Sequence, residues 1–162
     1  MKKIVVAFLL VCFFSGCLKS GSSTDNTACN YDACAEVAPA AEIQAVKDYL
    51  SANSITAVQH CSGLFYAIDD TGSGTAPTIC SVISFTYEGS LTNGNVFDQT
   101  TTPVSFFLSQ LIGGFQSGIP LIKAGGKIRL YVPPSLGYGA KQVGIVPPNS
   151  ILIYKIELVG VR

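Results

Sequence analysis

Charge is scarce in this chain of 162 residues: 12% of it is Asp, Glu, Lys or Arg, ten basic against ten acidic. With 48% hydrophobic residues alongside, that scarcity fits neither a disordered chain nor a coiled coil. A formal net charge of +0 excludes an electrostatic search for nucleic acid. Tryptophan is absent, so no site has an indole N–H, and histidine occurs once, as His60. The leading apolar run, Ile4 to Phe14, is too short to cross a bilayer comfortably. No internal repeat is visible. The pairs Gly113-Gly114 and Gly125-Gly126 have neither GxGxxG nor P-loop spacing, and they suit turns and close packing better than a phosphate cradle.

What is present at the N-terminus is an export signal. MKKIVVAFLLVCFFSGC has a basic start, an apolar stretch and small residues before a cysteine. Phe14-Ser15-Gly16-Cys17 resembles the bacterial lipobox, with Phe14 where that pattern prefers Leu, so Cys17 is expected to be acylated and to become the first residue. The alternative is an ordinary signal peptide with Cys17 merely nearby. Without Lys2 and Lys3 the remainder has 8 basic and 10 acidic residues, about −2. Export leaves Cys29, Cys34, Cys61 and Cys80, and an oxidising compartment favours two disulfides, with three connectivities open. A zinc site using these thiols and His60 is the rival. The spacing of CNYDAC and the adjacency of His60 and Cys61 make poor ligand geometry, so no metal is expected.

The chain divides into a signal peptide at 1–16, a Ser/Asn/Asp-rich tether at 17–38, a helical extension at 39–62 and a strand-rich domain at 63–162. A local Cys29–Cys34 link would knot the tether. Pro39 opens the helix PAAEIQAVKDYLSAN, whose Ile43, Val46 and Leu50 share one face; it reads as a packing element. Beyond Gly63 come GLFYAI, then SVISFTYEGSL with Ile83, Phe85 and Tyr87 on one side, and an Asn93-Gly94 hairpin signal. The return strand starts at VFD and resumes near VSFFL, with QTTTPV as a loop between. SQLIGGFQSGIPLI reads as one short, weak helix, GGKIRLYV and SILIYKIELV as strands. The fold class is α+β: about five antiparallel strands wrapped around a short central helix, preceded by a short N-terminal helix.

TYEGSLTNGNVFD, LIGGFQSGIPLIKAGGKIRLYVPPSLGYG and GIVPPNSILIYKIELV, in this order and spacing, resemble the FKBP-type peptidyl-prolyl cis/trans isomerases over residues 63–162. The resemblance implies a proline pocket. Its catalytic positions match Tyr87, Asp98, Ile112 (through the backbone N–H) and Tyr138. Substrate contacts match Phe97, Leu111, Phe115 at the floor, Ile145 and Val146 at the far lip, and Tyr154 on the last strand. Three departures stand out: Phe115 replaces the usual Trp, QTTTPV lacks the basic residue that commonly pairs with the aspartate, and GAKQVG is short and has no histidine. They weaken the expectation of macrolide binding, which becomes a weak one at most. The family's strand order also argues against pairing Cys61 with Cys80.

The implied activity is isomerisation of Xaa-Pro bonds without metal or organic cofactor. The implied partners are unfolded or partly folded exported proteins, with no nucleic acid among them. Lipidated Cys17 would anchor the chain to the bacterial envelope, the outer membrane facing the periplasm being the commoner arrangement. A proline-binding module or holdase that turns over poorly is the alternative, and a structural envelope component is a third.

Overall fold

The computed structural model of the protein describes Cys29 and residues 31–162; the signal segment, Cys17 and most of the tether lie outside the described residues. Six strands form one antiparallel sheet in the order β1-β2-β5-β6-β3-β4. They are β1 (Val58–Gln59), β2 (Phe65–Asp70), β3 (Val82–Leu91), β4 (Val96–Phe107), β5 (Lys127–Val132) and β6 (Leu152–Val161). The sixth strand beyond the five expected comes from the extension, where Val58 pairs with Tyr66 and Gln59 with Phe65. Among the described residues no helix is long and apolar enough to cross a membrane.

Period-2 alternation divides the sheet into two working faces. Ile83 and Phe85 of β3, Ile128, Leu130 and Val132 of β5, and Leu152, Tyr154, Ile156 and Leu158 of β6 point into the main core. There they meet α2 (Gly113–Gly118) and the 3-10 turn at Ile119–Leu121. On the other face, Phe65, Tyr131 and Ile153 lie under α1 (Ala40–Ala52), which contributes Val46 and Leu50. Pro39 starts α1 with a fixed φ of −53°, and Asn53 ends it by donating from its side chain to Tyr49 O at 2.8 Å. The packing role expected of this helix is what the structure shows.

Two local expectations change. The segment read as one helix is three pieces: a 3-10 turn at Leu108–Gln110, extended Leu111 and Ile112, then α2 and its closing turn. Gln116 bridges the break, its Nε2 donating to Ser109 O at 3.1 Å and Leu111 O at 2.7 Å. QTTTPV is not a separate loop but the middle of β4. Phe85 pairs with Val104 and Tyr87 with Thr100, so residues 101–103 bulge opposite Thr86.

The disulfides are Cys29–Cys80 and Cys34–Cys61, each with 5.3 Å between Cα atoms. The local Cys29–Cys34 knot is therefore corrected: one bridge ties the N-terminal segment to Cys80 of the strand-rich domain, the other to Cys61 at the end of the extension. Closing loops of 51 and 27 residues contributes about 2–4 kcal/mol per bridge.

Candidate functional site

The site sits where the concave face of the sheet meets the start of α2. Helix α2 can lie against β5 only because its residues are small. A Cβ on Gly114 would fall 2.7 Å from Val132 Cγ1, and one on Gly118 2.6 Å from Leu130 Cδ2. That close approach seats Phe115, 5% exposed, against the rings of the sheet. Phe115 meets Tyr154 edge to face with centroids 4.6 Å apart and Phe85 at 5.9 Å. Gly89 clears space on β3: a Cβ there would sit 2.8 Å from Phe97 and 2.9 Å from Tyr154. Phe97 then packs edge-on against Tyr154 at 5.6 Å.

These rings enclose a cavity of about 160 Å³, lined by Phe85, Tyr87, Asp98, Phe106, Leu111, Ile112, Phe115, Tyr138 and Tyr154. Its polar groups form two hydroxyl contacts. Tyr87 donates to Asp98 Oδ2 at 2.6 Å, and the Tyr138 and Tyr154 hydroxyls are 3.4 Å apart. Burial first, then the bond to Asp98 and its charge, push the Tyr87 phenol up to about 12. Burial and the Tyr138 hydroxyl raise Tyr154 well above its ordinary value. Both phenols are therefore protonated at neutral pH, and that of Tyr87 donates to Asp98. Extended backbone at Ile112 (φ −59°, ψ 152°) ends the chain's run before the helix, and its N–H donates to no backbone carbonyl among the described residues.

Seven of the ten residues singled out from the sequence line this cavity. Phe97 touches a lining ring, Tyr154, without lining the cavity itself. Ile145 and Val146 part company: Ile145 is 65% exposed, whereas Val146 is 2% exposed and belongs to the main core. Neither lines the cavity, and Val146 pairs with Val143 in an isolated antiparallel bridge. Sequence reasoning missed Phe85 and Phe106 as lining residues. The signal for Phe85 was its alternation with Ile83 and Tyr87; Phe106 left none, its pairing with Ile83 being visible only in the structure.

Loop placement depends on the extension. Ser135 N, in the 3-10 turn Pro134–Leu136 that leads to Tyr138, donates to Glu42 Oε2 of α1 at 2.8 Å. A larger groove of about 660 Å³ lies on the opposite face, among Thr86, Gln99, Thr101 and charged residues. Its charges are spent on each other, in Lys127–Glu157 at 3.3 Å, Arg129–Asp69 at 2.7 Å and Lys155–Glu88 at 2.8 Å. The small apolar cavity, not this groove, has the character of a site for a ring such as proline. Cys34, His60 and Cys61 gather their possible ligand atoms within 4.8 Å, with the two sulfurs bonded to each other.

Residues 74–159, more than half of the chain, match the FKBP-type peptidyl-prolyl cis-trans isomerase family model. The chain belongs to this family. FkpA of Buchnera aphidicola (from Schizaphis graminum), an FKBP-type peptidyl-prolyl cis-trans isomerase, is 44% identical over 105 residues, covering 62% of this chain and 42% of that protein. FkpA of Escherichia coli K12 is 40% identical over 104 residues, covering 62% and 38%. This FKBP-type chain thus spans about two fifths of the length of these relatives. The crystal structure of Escherichia coli FkpA superposes with a TM-score of 0.68 at 36% identity, covering 76% of this chain and 61% of that one. A peptidyl-prolyl cis-trans isomerase from Pseudomonas syringae gives 0.66 at 29% identity, covering 76% and 96%.

Proposed function

We propose that the chain is a peptidyl-prolyl cis/trans isomerase that speeds Xaa-Pro rotation in exported proteins from a lipid anchor at Cys17. The observation that carries the reading is the aromatic cavity lined by Phe85, Phe115 and Tyr154, with an Ile112 N–H that meets no backbone carbonyl among the described residues. Rotation about the peptide bond is opposed by C–N resonance, about 18–20 kcal/mol. The two planar states before proline differ by only about 0.5–1 kcal/mol, so both are accessible and exchange slowly.

No bond has to break. The twisted amide has lost resonance and is less charge-separated than either planar form, so an apolar cup favours it relative to water. Binding it more tightly than the planar states lowers the barrier. In this reading Phe115, Tyr154 and Phe85 enclose the proline ring. The Ile112 N–H holds a flanking carbonyl, and the Tyr138 hydroxyl holds another. Asp98 accepts from Tyr87, which fixes that ring as a wall and leaves Asp98 a positioning residue. A thousandfold acceleration requires about 4 kcal/mol, within reach of enclosure plus two hydrogen bonds.

Uncatalysed exchange takes tens of seconds or more and can limit folding, which gives an exported client something to gain. The test is refolding of one proline-limited client and one proline-free, aggregation-prone client. An isomerase accelerates the first and leaves the second unchanged. Suppressed aggregation of the second without acceleration of the first would transfer the site to a holdase. The anchor is tested separately, by incorporation of a labelled fatty acid in cells. Label is expected on the wild-type chain and absent from Cys17→Ser; equal labelling of both discards the anchor.

A further inference from the structure

The two edges of the sheet are unlike. Strand β1 closes one side with two residues, whereas β4 closes the other with twelve, Val96–Phe107. A long edge offers a row of backbone donors and acceptors to any extended chain. The middle of β4 is protected. Pro103 stands in the bulge at residues 101–103, and Thr100 Oγ1 donates to Thr102 O at 2.6 Å while receiving the Thr102 N–H at 3.2 Å. Residues 104–107, Val-Ser-Phe-Phe, carry neither charge nor proline.

The ladder fixes which way the backbone of that stretch points. Val82 exchanges both of its bonds with Arg162, each at 2.8 Å, and the Ser81 carbonyl accepts the Leu108 N–H at 3.0 Å. Antiparallel bonding alternates along a strand, so Val82 turns away from Phe107, its partner in β4, and Ile83 turns towards Phe106. The Ser105 N–H and C=O and the Phe107 N–H therefore point outward, with no strand beside them among the described residues. Ser105 is exposed, and Phe106 and Phe107, on opposite faces, are each half-exposed. Phe106 also lines the aromatic cavity, its ring centroid 6.3 Å from that of Phe85. Edge and cavity are thus one continuous surface.

We propose that this edge takes the stretch of client polypeptide next to the proline as an added antiparallel strand. The occupant is an extended segment with apolar side chains in succession, β-branched or aromatic. The inference rests on the prolyl isomerase reading of the cavity and adds a second element of recognition to it. A client residue opposite Ser105 exchanges two backbone bonds with it, and the Phe107 N–H takes a further carbonyl. Side chains directly opposite share a face, so the client residue opposite Phe106 lies on the cavity side and packs on that ring. Its neighbour, opposite Phe107, packs on the other face. Because the bonds run to backbone, many client sequences can use the edge.

The experiment uses the full-length chain in mild detergent. It compares a short peptide holding one Xaa-Pro bond with longer soluble peptides that flank the same pair, on either side, with several Val, Thr or Phe residues. NMR exchange spectroscopy gives kcat/KM, and amide hydrogen exchange reports on Ser105 and Phe107. One of the longer peptides should show a kcat/KM about tenfold higher than the short one, and at saturation should slow exchange of both amides at least about tenfold. Ser105→Pro removes an outward N–H where an edge strand tolerates proline. It should abolish the advantage of the longer peptide and leave the short peptide's exchange unchanged. N-methylation of the longer peptide, one residue at a time, should weaken its use at alternate positions only. Equal kcat/KM for short and long peptides, an advantage that survives Ser105→Pro, or unprotected amides would each overturn the proposal. Protection without peptide that rises with protein concentration would give the edge to a second copy of the chain and overturn it too. Should Ser105→Pro fail to fold, the methylation series decides in the wild-type chain, a loss without alternation counting against the strand. Acceleration of neither peptide would fail the isomerase reading alone; protected amides would then still uphold the edge, and unprotected ones overturn it.

Discussion

Helices α1 and α2 pack on opposite faces of one sheet, and their sequences suggest the reverse of their importance. Helix α1 has 13 residues, begins after Pro39 and is capped at its end by Asn53, yet it buries only Val46 and Leu50 and reaches the Tyr138 loop through one hydrogen bond. Helix α2 has six residues, three of them glycine, and poor intrinsic propensity. It nevertheless supplies the floor ring of the cavity, and the residue that precedes it, Ile112, the N–H at the cavity. The contrast teaches that a helix placed by packing can be as short as the site requires. Small residues bring its backbone against β5, and the sheet supplies the stability that the helix lacks.

The sharpest way to test that division is to damage each helix and read activity and stability separately. Phe115→Leu keeps an apolar side chain in the core and removes the ring face; prolyl exchange should fall on the order of a hundredfold, about 2.7 kcal/mol. Because Phe115 is core as well as floor, Phe115→Ala should in addition lose about 3–5 kcal/mol of stability, measured by urea unfolding. On the other face, Leu50→Ala should cost about 2–5 kcal/mol, while the folded fraction keeps its wild-type exchange rate. Equal loss of activity in Phe115→Leu and Leu50→Ala would erase the distinction between the helices.

A smaller change probes why α2 is glycine-rich. Gly114→Ala places a methyl against Val132 and should cost about 1–3 kcal/mol, with exchange reduced because Ile112 shifts with the helix. Smaller again is Glu42→Gln, which leaves Ser135 N with a weaker acceptor. It should loosen the Tyr138 loop, with a loss of about 1 kcal/mol or less and a rise in KM larger than any fall in kcat. That result would give α1 its one functional link.

The least effect is expected from alkali. Tyr87 has its folded pKa raised from 10.0 to about 12. Its contribution to stability is therefore fully present below pH 10 and is lost as pH rises from there towards 12. In Asp98→Asn the phenolate absorbance of Tyr87 should appear at lower pH, since the carboxylate that opposes ionisation is gone.

The site residues Tyr87, Asp98, Phe115, Tyr138 and Tyr154 could be named from the sequence because three motif blocks resemble the FKBP-type family in order and spacing; β-strand alternation alone reads such aromatics as core. Phe106 could not be named in this way. The bulge at residues 101–103 breaks the period-2 count between Thr100 and Val104, so which of Phe106 and Phe107 faces inward depends on a register that alternation alone does not carry. The burial of Val146 beside the exposed Ile145 was equally hard to read, since both are apolar and adjacent. The disulfide pairing was likewise illegible, since Cys29, Cys34, Cys61 and Cys80 find partners by how α1 and the segment before it drape over the sheet. The face of α1 could be read from Ile43, Val46 and Leu50, but not the strands it would cover, Phe65, Tyr131 and Ile153 lying far apart in the chain.

The most direct test of the central claim, that this aromatic cavity favours the twisted prolyl amide, is NMR exchange spectroscopy of short Xaa-Pro peptides with residues 18–162. The account predicts faster cis/trans exchange with wild-type protein and its loss in Phe115→Leu. Peptide binding without faster exchange would contradict it and leave the cavity as a recognition site alone.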